Sequence, residues 1–129
     1  MKAIIIEDEQ SAADNLSFLL RSVAPDIEVV TAIETVSEAI AYFKENQTYD
    51  LVFMDIHLAD GNSFEIVQEV EPTAPIIFTT AYDQYAIQAF KFNSIDYLLK
   101  PIREADLKHA VLKFRDKHQK TQVSPAQIE

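Results

Sequence analysis

Five short segments dominated by apolar residues recur along the chain, and they constrain its fold more than any other feature. They lie at residues 3–6, 27–33, 51–54, 75–78 and 95–99. The clearest run, residues 51–54, reads Leu-Val-Phe-Met and lacks the polar alternation of a strand with one solvated face. Strands of this kind are typical of a parallel sheet that helices cover on both faces.

The stretches between these segments have the spacing of helices. Apolar residues recur at helical intervals in residues 11–23, after Ser37, after the turn at 60–62, from about 83 to 92, and after Pro101. Because right-handed crossovers place helices on both faces of a sheet, the alternation predicts one α/β domain, a doubly wound sandwich of five βα units. Residues 121–129 lack periodicity and predict a linker or tail after a domain of residues 1–120.

Composition excludes several kinds of site. The 129 residues include a single Gly, whereas dinucleotide-binding and Walker A loops need several glycines to bring the backbone close to a phosphate. The absence of Cys excludes disulfides, thiol nucleophiles and Cys-ligated zinc. Because neither a signal peptide nor a membrane span fits the sequence, we expect a cytoplasmic location and no membrane partner.

The charge is distributed unevenly along the chain. Residues 1–99 contain 17 acidic and 4 basic residues, whereas residues 100–129 contain 4 acidic and 7 basic ones. A body this acidic is a poor partner for a phosphate backbone, which is bound through Lys and Arg. The basic residues of the last helix alternate with acidic ones, as on a solvated helix face. We therefore expect no direct contact between this domain and nucleic acid.

Polar residues follow four of the predicted strands. Glu7, Asp8 and Glu9 follow the first, Asp55 the third, Thr79 and Thr80 the fourth, and Lys100 the fifth. Each has an ordinary structural explanation, such as a favourable charge at a helix start or a turn cap. Together they predict one pocket, because the carboxyl ends of parallel strands meet at the same edge of the sheet.

The residue types in this pocket suit phosphoryl transfer to a carboxylate. Close carboxylates favour a hard cation such as Mg²⁺, which takes one or two carboxylates with water and a phosphoryl oxygen. Asp55 is then a candidate nucleophile. Lys100 and Thr80 are candidates for stabilising the phosphoryl oxygens, since this chemistry depends mainly on positioning and charge neutralisation.

Four short motifs stand at these strand ends in a fixed order. They are Glu7-Asp8-Glu9, Met54-Asp55, Thr80-Ala81 and Lys100-Pro101. Together they resemble the receiver domain of bacterial two-component response regulators, over residues 2 to about 118. The resemblance implies a flavodoxin-like sheet of order 2-1-3-4-5, which would bring Asp8 and Asp55 together.

The resemblance also implies a role for each site residue. Asp55 would be the phosphoacceptor of a sensor histidine kinase, in a domain that assists its own phosphorylation and dephosphorylation without being an enzyme proper. The metal ligands for Mg²⁺ would be Asp8, Asp55, Glu7 and the backbone of His57. Lys100 would contact the phosphoryl group, and Thr80 and Tyr97 would be the switch residues.

The predicted output is a change on one face of the domain. This face consists of the helix at 83–92, the strand at 95–99 and the last helix, where Tyr82, Tyr85 and Phe90 suggest a surface for a homodimer or an effector. The segments 81–86 and 94–101 resemble receivers that precede a LytTR-type DNA-binding domain. The chain would then be the regulatory part of a transcription factor, with a stand-alone receiver that acts through protein contacts as the alternative.

Three positions depart from or add to the receiver pattern. Ala59 follows Leu58 where Pro is common, and Glu7 replaces a commoner Asp, so that its metal contact is expected to pass through water. His57 occupies a position that influences dephosphorylation in the family, although an exposed loop His would look the same. The Lys100–Pro101 peptide is cis in the family, which Pro permits.

Three other kinds of protein fit the sequence less well. A haloacid dehalogenase-type phosphatase with an Asp nucleophile has an Asp two residues later, where this chain has His57. A flavodoxin-like flavin carrier needs hydrogen-bond donors after the first strand, where Glu7, Asp8 and Glu9 would repel a phosphate. A pseudo-receiver is expected to lack Asp55 or Lys100, and both are present.

Overall fold

The computed structural model describes residues 1–46, 48–81 and 94–122, without the side chains of 94, 95 and 118–122. Its main sheet has five parallel strands, which are β1 Lys2–Ile6, β2 Glu28–Ile33, β3 Leu51–Asp55, β4 Ile76–Thr80 and β5 Ser94–Leu99. Their order across the sheet is β2-β1-β3-β4-β5. The doubly wound α/β fold and the predicted 2-1-3-4-5 order are confirmed.

Four helices are described around this sheet. They are α1 Gln10–Val23, α2 Val36–Glu45, α3 Phe64–Val70 and α4 Glu104–Gln122. A short antiparallel hairpin of His57–Leu58 and Gly61–Asn62 lies between β3 and α3. The helix predicted at 83–92 lies outside the described residues, as do Tyr82, Tyr85 and Phe90.

The sheet separates two apolar layers. On one face, alternate strand residues such as Ile4, Met54 and Phe78 pack with residues of α2 and α3. On the other, residues such as Ile5 and Phe53 pack with α1 and α4. Every residue of β3 and β4 is buried. This double burial is the physical reason why those segments show no polar alternation.

One predicted strand boundary differs from the structure. The fourth strand is Ile76–Thr80 rather than 75–78, because Thr79 and Thr80 continue the ladder to Leu98 and Leu99. The last helix ends at Gln122, residues 123–129 are not described, and the domain boundary at 120 stays a prediction. In the described part of the chain, no helix combines the length and the apolar character needed to cross a membrane.

Candidate functional site

The carboxyl ends of β1, β3 and β5 bring three charged side chains together. Ile6 pairs with Met54 in the parallel register of β1 and β3, so the next residues, Glu7 just after β1 and Asp55 at the end of β3, lie at the same level. Lys100 directly follows β5, and its backbone N–H donates to the carbonyl of Thr80 at 2.8 Å. The sheet topology therefore assembles the site from segments far apart in sequence.

The Lys100 ammonium binds two carboxylates at once. Its Nζ donates to Oδ2 of Asp55 at 2.9 Å and also to Oε1 of Glu7. Glu7 and Asp55 are each only 5 % exposed. One ammonium thus lies between two buried carboxylates. When both carboxylates are ionised, one negative charge is left uncompensated in a region with little water.

Asp8 adds a third carboxylate to this cluster. One carboxylate oxygen from each of Glu7, Asp8 and Asp55 lies within 4.8 Å of the others. At that separation two full charges repel by about 3 kcal/mol in an environment of intermediate dielectric constant. Three ionised carboxylates and one ammonium leave two uncompensated negative charges, which matches a divalent cation.

The donor set fits Mg²⁺. Its ligands would all be oxygen atoms, and Mg²⁺ is usually held by one or two carboxylates with water completing the shell. Asp8 is half-buried and so lies at the boundary between the buried pair and solvent. Of the predicted protein side-chain ligands, all three, Glu7, Asp8 and Asp55, are in the cluster.

Burial changes the protonation behaviour of this cluster. It raises the pKa of the Glu7 carboxyl to about 7, and the Asp55 charge acts in the same direction, against the opposing Lys100 hydrogen bond. Burial alone would lower the pKa of Lys100, but its hydrogen bonds to Glu7 and Asp55 outweigh burial and raise it. Lys100 therefore stays charged, whereas the Glu7 carboxyl gains or loses its proton near neutral pH.

Backbone atoms hold Asp55 from the other side. The N–H of His57 donates to Oδ1 of Asp55 at 3.3 Å, while Lys100 is on Oδ2. Glu7 is held similarly, since the N–H of Glu9 donates to its Oε2 at 3.2 Å. The His57 side chain is exposed, as an ordinary loop His would be, and the Lys100–Pro101 peptide is cis.

The two predicted switch residues lie on neighbouring strands. Thr80 is fully buried at the end of β4, and its backbone pairs with Leu99 of β5. Tyr97 is partly buried, pairs with Phe78, and packs against the apolar layer that also contains α2 and α3. Thr80 and Tyr97 lie on β4 and β5, and their roles as switch residues remain predictions.

A cavity of about 190 Å³ opens beside the carboxylate cluster. Its lining includes Glu7, Thr79 and Lys100, together with residues of α1, among them the polar Ser11 and Asn15, and the segment after Lys100. Successive side chains of a strand point to opposite faces of the sheet. Thr79 therefore faces the cavity next to the cluster, and Thr80 faces the other side of the sheet.

Two features of the site have no clear signal in the sequence. The sequence predicts Glu7 as a metal-side acid, but its ion pair with Lys100 joins residues 93 positions apart. The sequence predicts only a turn at Asp60-Gly61-Asn62 in place of the hairpin after β3. The carboxylate of Asp60 instead binds the first turn of α2, an interaction that spans 23 and 24 residues.

Comparison with known proteins places these features in a family. The sequence model described as "Response regulator receiver domain" matches residues 3–112. The transcriptional regulatory protein LytR of Staphylococcus aureus is 41 % identical over 118 residues, which is 89 % of this chain and 47 % of that protein. The sensory transduction protein LytT of Bacillus anthracis is 35 % identical over 122 residues, 92 % of this chain and 49 % of that protein.

The chain spans about half the length of these curated relatives. The expected similarity to LytTR-type regulators is confirmed by both of them. Among solved structures, the response regulatory domain of mrkE from Klebsiella pneumoniae has a TM-score of 0.83 at 27 % identity, covering 93 % of this chain and 99 % of that one. A response regulator receiver domain protein from Clostridium thermocellum has a TM-score of 0.78 at 28 % identity, covering 94 % and 98 %.

Proposed function

This chain belongs to the response regulator receiver domain family, and on that premise we propose that it accepts a phosphoryl group on Asp55 from a sensor histidine kinase, with Mg²⁺. The observation that carries the proposal is the pairing of the buried Asp55 carboxylate with Lys100, next to two further carboxylates. A buried nucleophile, a fixed cation and oxygen ligands for a divalent metal are the parts that phosphoryl transfer needs.

The proposed step moves one phosphoryl group. A carboxylate oxygen of Asp55 forms a bond to phosphorus as the bond from phosphorus to the kinase's histidine nitrogen breaks. The electron pair of the broken bond stays on that nitrogen, and the histidine leaves as a neutral imidazole whose other ring nitrogen carries the proton. The product is an acyl phosphate on Asp55, and no oxidant or reductant is required.

The side chains of this chain divide the work of that step. Asp55 is presented at the end of a fully buried strand, which fixes its direction. The Lys100 ammonium, already on Oδ2, is placed to pair with the incoming phosphoryl oxygens. Glu7, Asp8 and Asp55, with the backbone of His57, would hold Mg²⁺, which when bound neutralises charge on the transferring group.

The same proposal extends to the conformational change after phosphorylation. The charge added at Asp55 draws the Thr80 hydroxyl inward, and Tyr97 moves into the space that it leaves, so that the face containing β5 and α4 changes. That face is proposed to form a homodimer or to bind an effector. Its third predicted member, residues 83–92, lies outside the described part of the chain.

The output is proposed by analogy with the relatives. LytR is named a transcriptional regulatory protein, and this chain matches about half of it. We therefore propose that the domain regulates transcription in the cytoplasm through a LytTR-type DNA-binding domain, without binding nucleic acid itself. A receiver that acts alone through protein contacts is the second candidate, which the acidic surface of residues 1–99 equally favours.

The deciding experiment is intact-mass measurement after incubation with acetyl phosphate and Mg²⁺. The wild-type protein should gain one phosphoryl group that hydroxylamine removes, as expected of an acyl phosphate. Asp55→Asn should gain none, whereas Asp14→Asn, a change on the exposed side of α1, should behave like the wild type. A wild-type protein that stays unmodified, or an Asp55→Asn variant that is modified equally, would refute the proposal.

A further inference from the structure

Asp60 links the loop after the phosphoacceptor strand to a helix elsewhere in the fold. It lies at the tip of the hairpin His57–Leu58 and Gly61–Asn62, but its carboxylate bonds outside the hairpin. Oδ1 accepts the N–H of Val36 at 2.7 Å, and Oδ2 accepts both the N–H and the hydroxyl of Ser37 at 3.2 Å. Three hydrogen bonds thus fasten the hairpin tip to the start of α2.

These bonds add to a cap that α2 already has. The Thr35 hydroxyl accepts the N–H of Glu38 at 3.1 Å, which is the ordinary side-chain cap of a helix. Asp60 takes the two N–H groups that Thr35 leaves, at the positive end of the helix dipole. The pKa of the Asp60 carboxyl is lowered, mainly by the hydrogen bond from the N–H of Val36. Asp60 therefore binds the start of α2 as an ionised carboxylate.

At its other end the hairpin contacts the phosphoacceptor. His57 is its first residue, and the N–H of His57 donates to Oδ1 of Asp55 at 3.3 Å. That distance lies just beyond the usual range for an N–H···O bond, so a small shift of the hairpin would break it. The neighbouring residue is held by the sheet, because the N–H of Ile56 donates to the carbonyl of Thr79.

The hairpin therefore has two anchors with the His57 amide between them. One anchor is the end of β3, where the N–H of Ile56 donates to the carbonyl of Thr79. The carbonyl of Ile56 in turn accepts the N–H of Ser63 at 2.8 Å. The other is Asp60 on α2. The hairpin itself has only two residue pairs, too few to be stable alone.

We propose that Asp60 is a positioning residue, which holds the His57 amide against Asp55 by fastening the hairpin tip to α2. It touches neither the phosphoryl group nor the metal and acts through the backbone of residues 57–60. Its effect on phosphorylation rests on the proposed function, whereas its effect on the His57 amide does not.

Three variants separate positioning from simple helix capping. Asp60→Ala removes the link between hairpin and helix, and Asp60→Asn keeps the shape with one acceptor oxygen. Thr35→Ala weakens the start of α2 without touching the hairpin and is the matched control. Unfolding curves identify any variant that fails to fold, in which case Asp60→Asn serves alone.

The first readout is hydrogen exchange of the His57 amide by NMR in the unphosphorylated protein. We expect Asp60→Ala to speed this exchange about tenfold or more and Asp60→Asn to have a smaller effect, since a released hairpin opens locally. Thr35→Ala should speed exchange in the first turn of α2 only. This readout needs no phosphoryl donor, so it decides the positioning role even if the wild type accepts no phosphoryl group.

The second readout is the rate constant of phosphorylation by phosphoramidate at saturating Mg²⁺. Misplacement of an active-site contact by a fraction of an ångström should slow Asp60→Ala about three- to tenfold, with Thr35→Ala unchanged. Equal slowing in both variants, or a His57 amide that Asp60→Ala leaves unaffected, would reduce Asp60 to a helix cap and overturn the proposal.

Discussion

Lys100 and Asp55 form an ion pair of 2.9 Å across the carboxyl edge of the sheet, although 45 residues separate them in the chain. Glu7 shares the same ammonium, so that one cation is bound to two buried carboxylates. Removal of any one of the three groups changes the charge balance of the other two. The stability of the metal-free protein should therefore depend on this cluster in a way that pH can reveal.

Lys100→Met should destabilise the metal-free protein at pH 8 by about 2 to 3 kcal/mol, because two buried carboxylates lose their counter-charge. The loss should be smaller at pH 5, where Glu7 is protonated. Urea unfolding in EDTA at both pH values measures the change. Lys44→Met is the control, since the Lys44–Glu69 pair is exposed and 3.8 Å long. Equal effects of the two variants would contradict a special role for Lys100.

Glu7→Gln should change the pH dependence of stability. The folded-state pKa of Glu7, about 7, lies above its ordinary value of 4.5, so the folded state binds the extra proton between these values. Its contribution to stability is therefore complete below pH 4.5 and is lost as the pH rises through 7. In EDTA, Glu7→Gln should flatten this decline, while the neighbouring exposed Glu9→Gln should not. A wild-type curve without the decline would refute the raised pKa.

Mg²⁺ should stabilise the protein through the carboxylate cluster. A ligand that binds only the folded state at ten times its dissociation constant adds about 1.4 kcal/mol. Thermal unfolding with increasing Mg²⁺ measures this gain in the wild type, and EDTA should reverse it. Asp8→Asn should lose most of it, whereas Asp14→Asn should keep it. If Asp8→Asn responds like the wild type, Asp8 is not a ligand.

The pairing of Asp26 with Arg115 predicts a second pH effect, far from the cluster. Arg115 donates two hydrogen bonds, at 2.7 and 2.9 Å, which lower the pKa of the Asp26 carboxyl to about 2. The resulting stability is present above the ordinary Asp pKa and is lost as the pH falls through about 2. NMR titration of the Asp26 carboxyl should show this pKa, and Arg115→Gln should raise it. Lys108→Gln should leave it where it is.

Gly61→Ala should destabilise the protein by about 1 to 2 kcal/mol. Gly61 has a φ of 153°, a backbone angle that residues with a side chain rarely adopt. An added Cβ would also lie 2.5 Å from Oε2 of Glu65. Denaturant unfolding of Gly61→Ala and of Gly61→Ala with Glu65→Ala separates the two causes. Because the Glu65 side chain is flexible, we expect the second change to restore little, and full recovery would assign the cost to the clash instead.

The fold and the centre of the site could be predicted because both depend on local patterns and sheet geometry. The apolar runs identified the five strands of the main sheet, and the rule that parallel strand ends meet predicted that Asp55 and Lys100 would be neighbours. The same rule predicted that Asp8, the third carboxylate of the cluster, would lie at this edge of the sheet.

Contacts that depend on how separate segments dock could not be predicted in this way. The strand-end rule predicts Glu7 and Lys100 in one pocket, but their direct ion pair depends on the exact level at which β1 and β5 end. Asp60 stands before Gly61, a sequence typical of a turn, and nothing local indicates that its carboxylate reaches Val36. Such pairings depend on tertiary register.

Lys100, the cation shared by Glu7 and Asp55, lies late in the sequence. Glu7 and Asp55 precede their counter-charge by 93 and 45 residues, and Lys100 comes after β5, which forms an edge of the sheet. A growing chain that lacks residue 100 has the carboxylates of the cluster without the ammonium, and closure of such long loops is entropically costly. The proposed phosphoryl acceptance by Asp55 would therefore require that the last strand has docked, so only molecules with a completed sheet would carry it out.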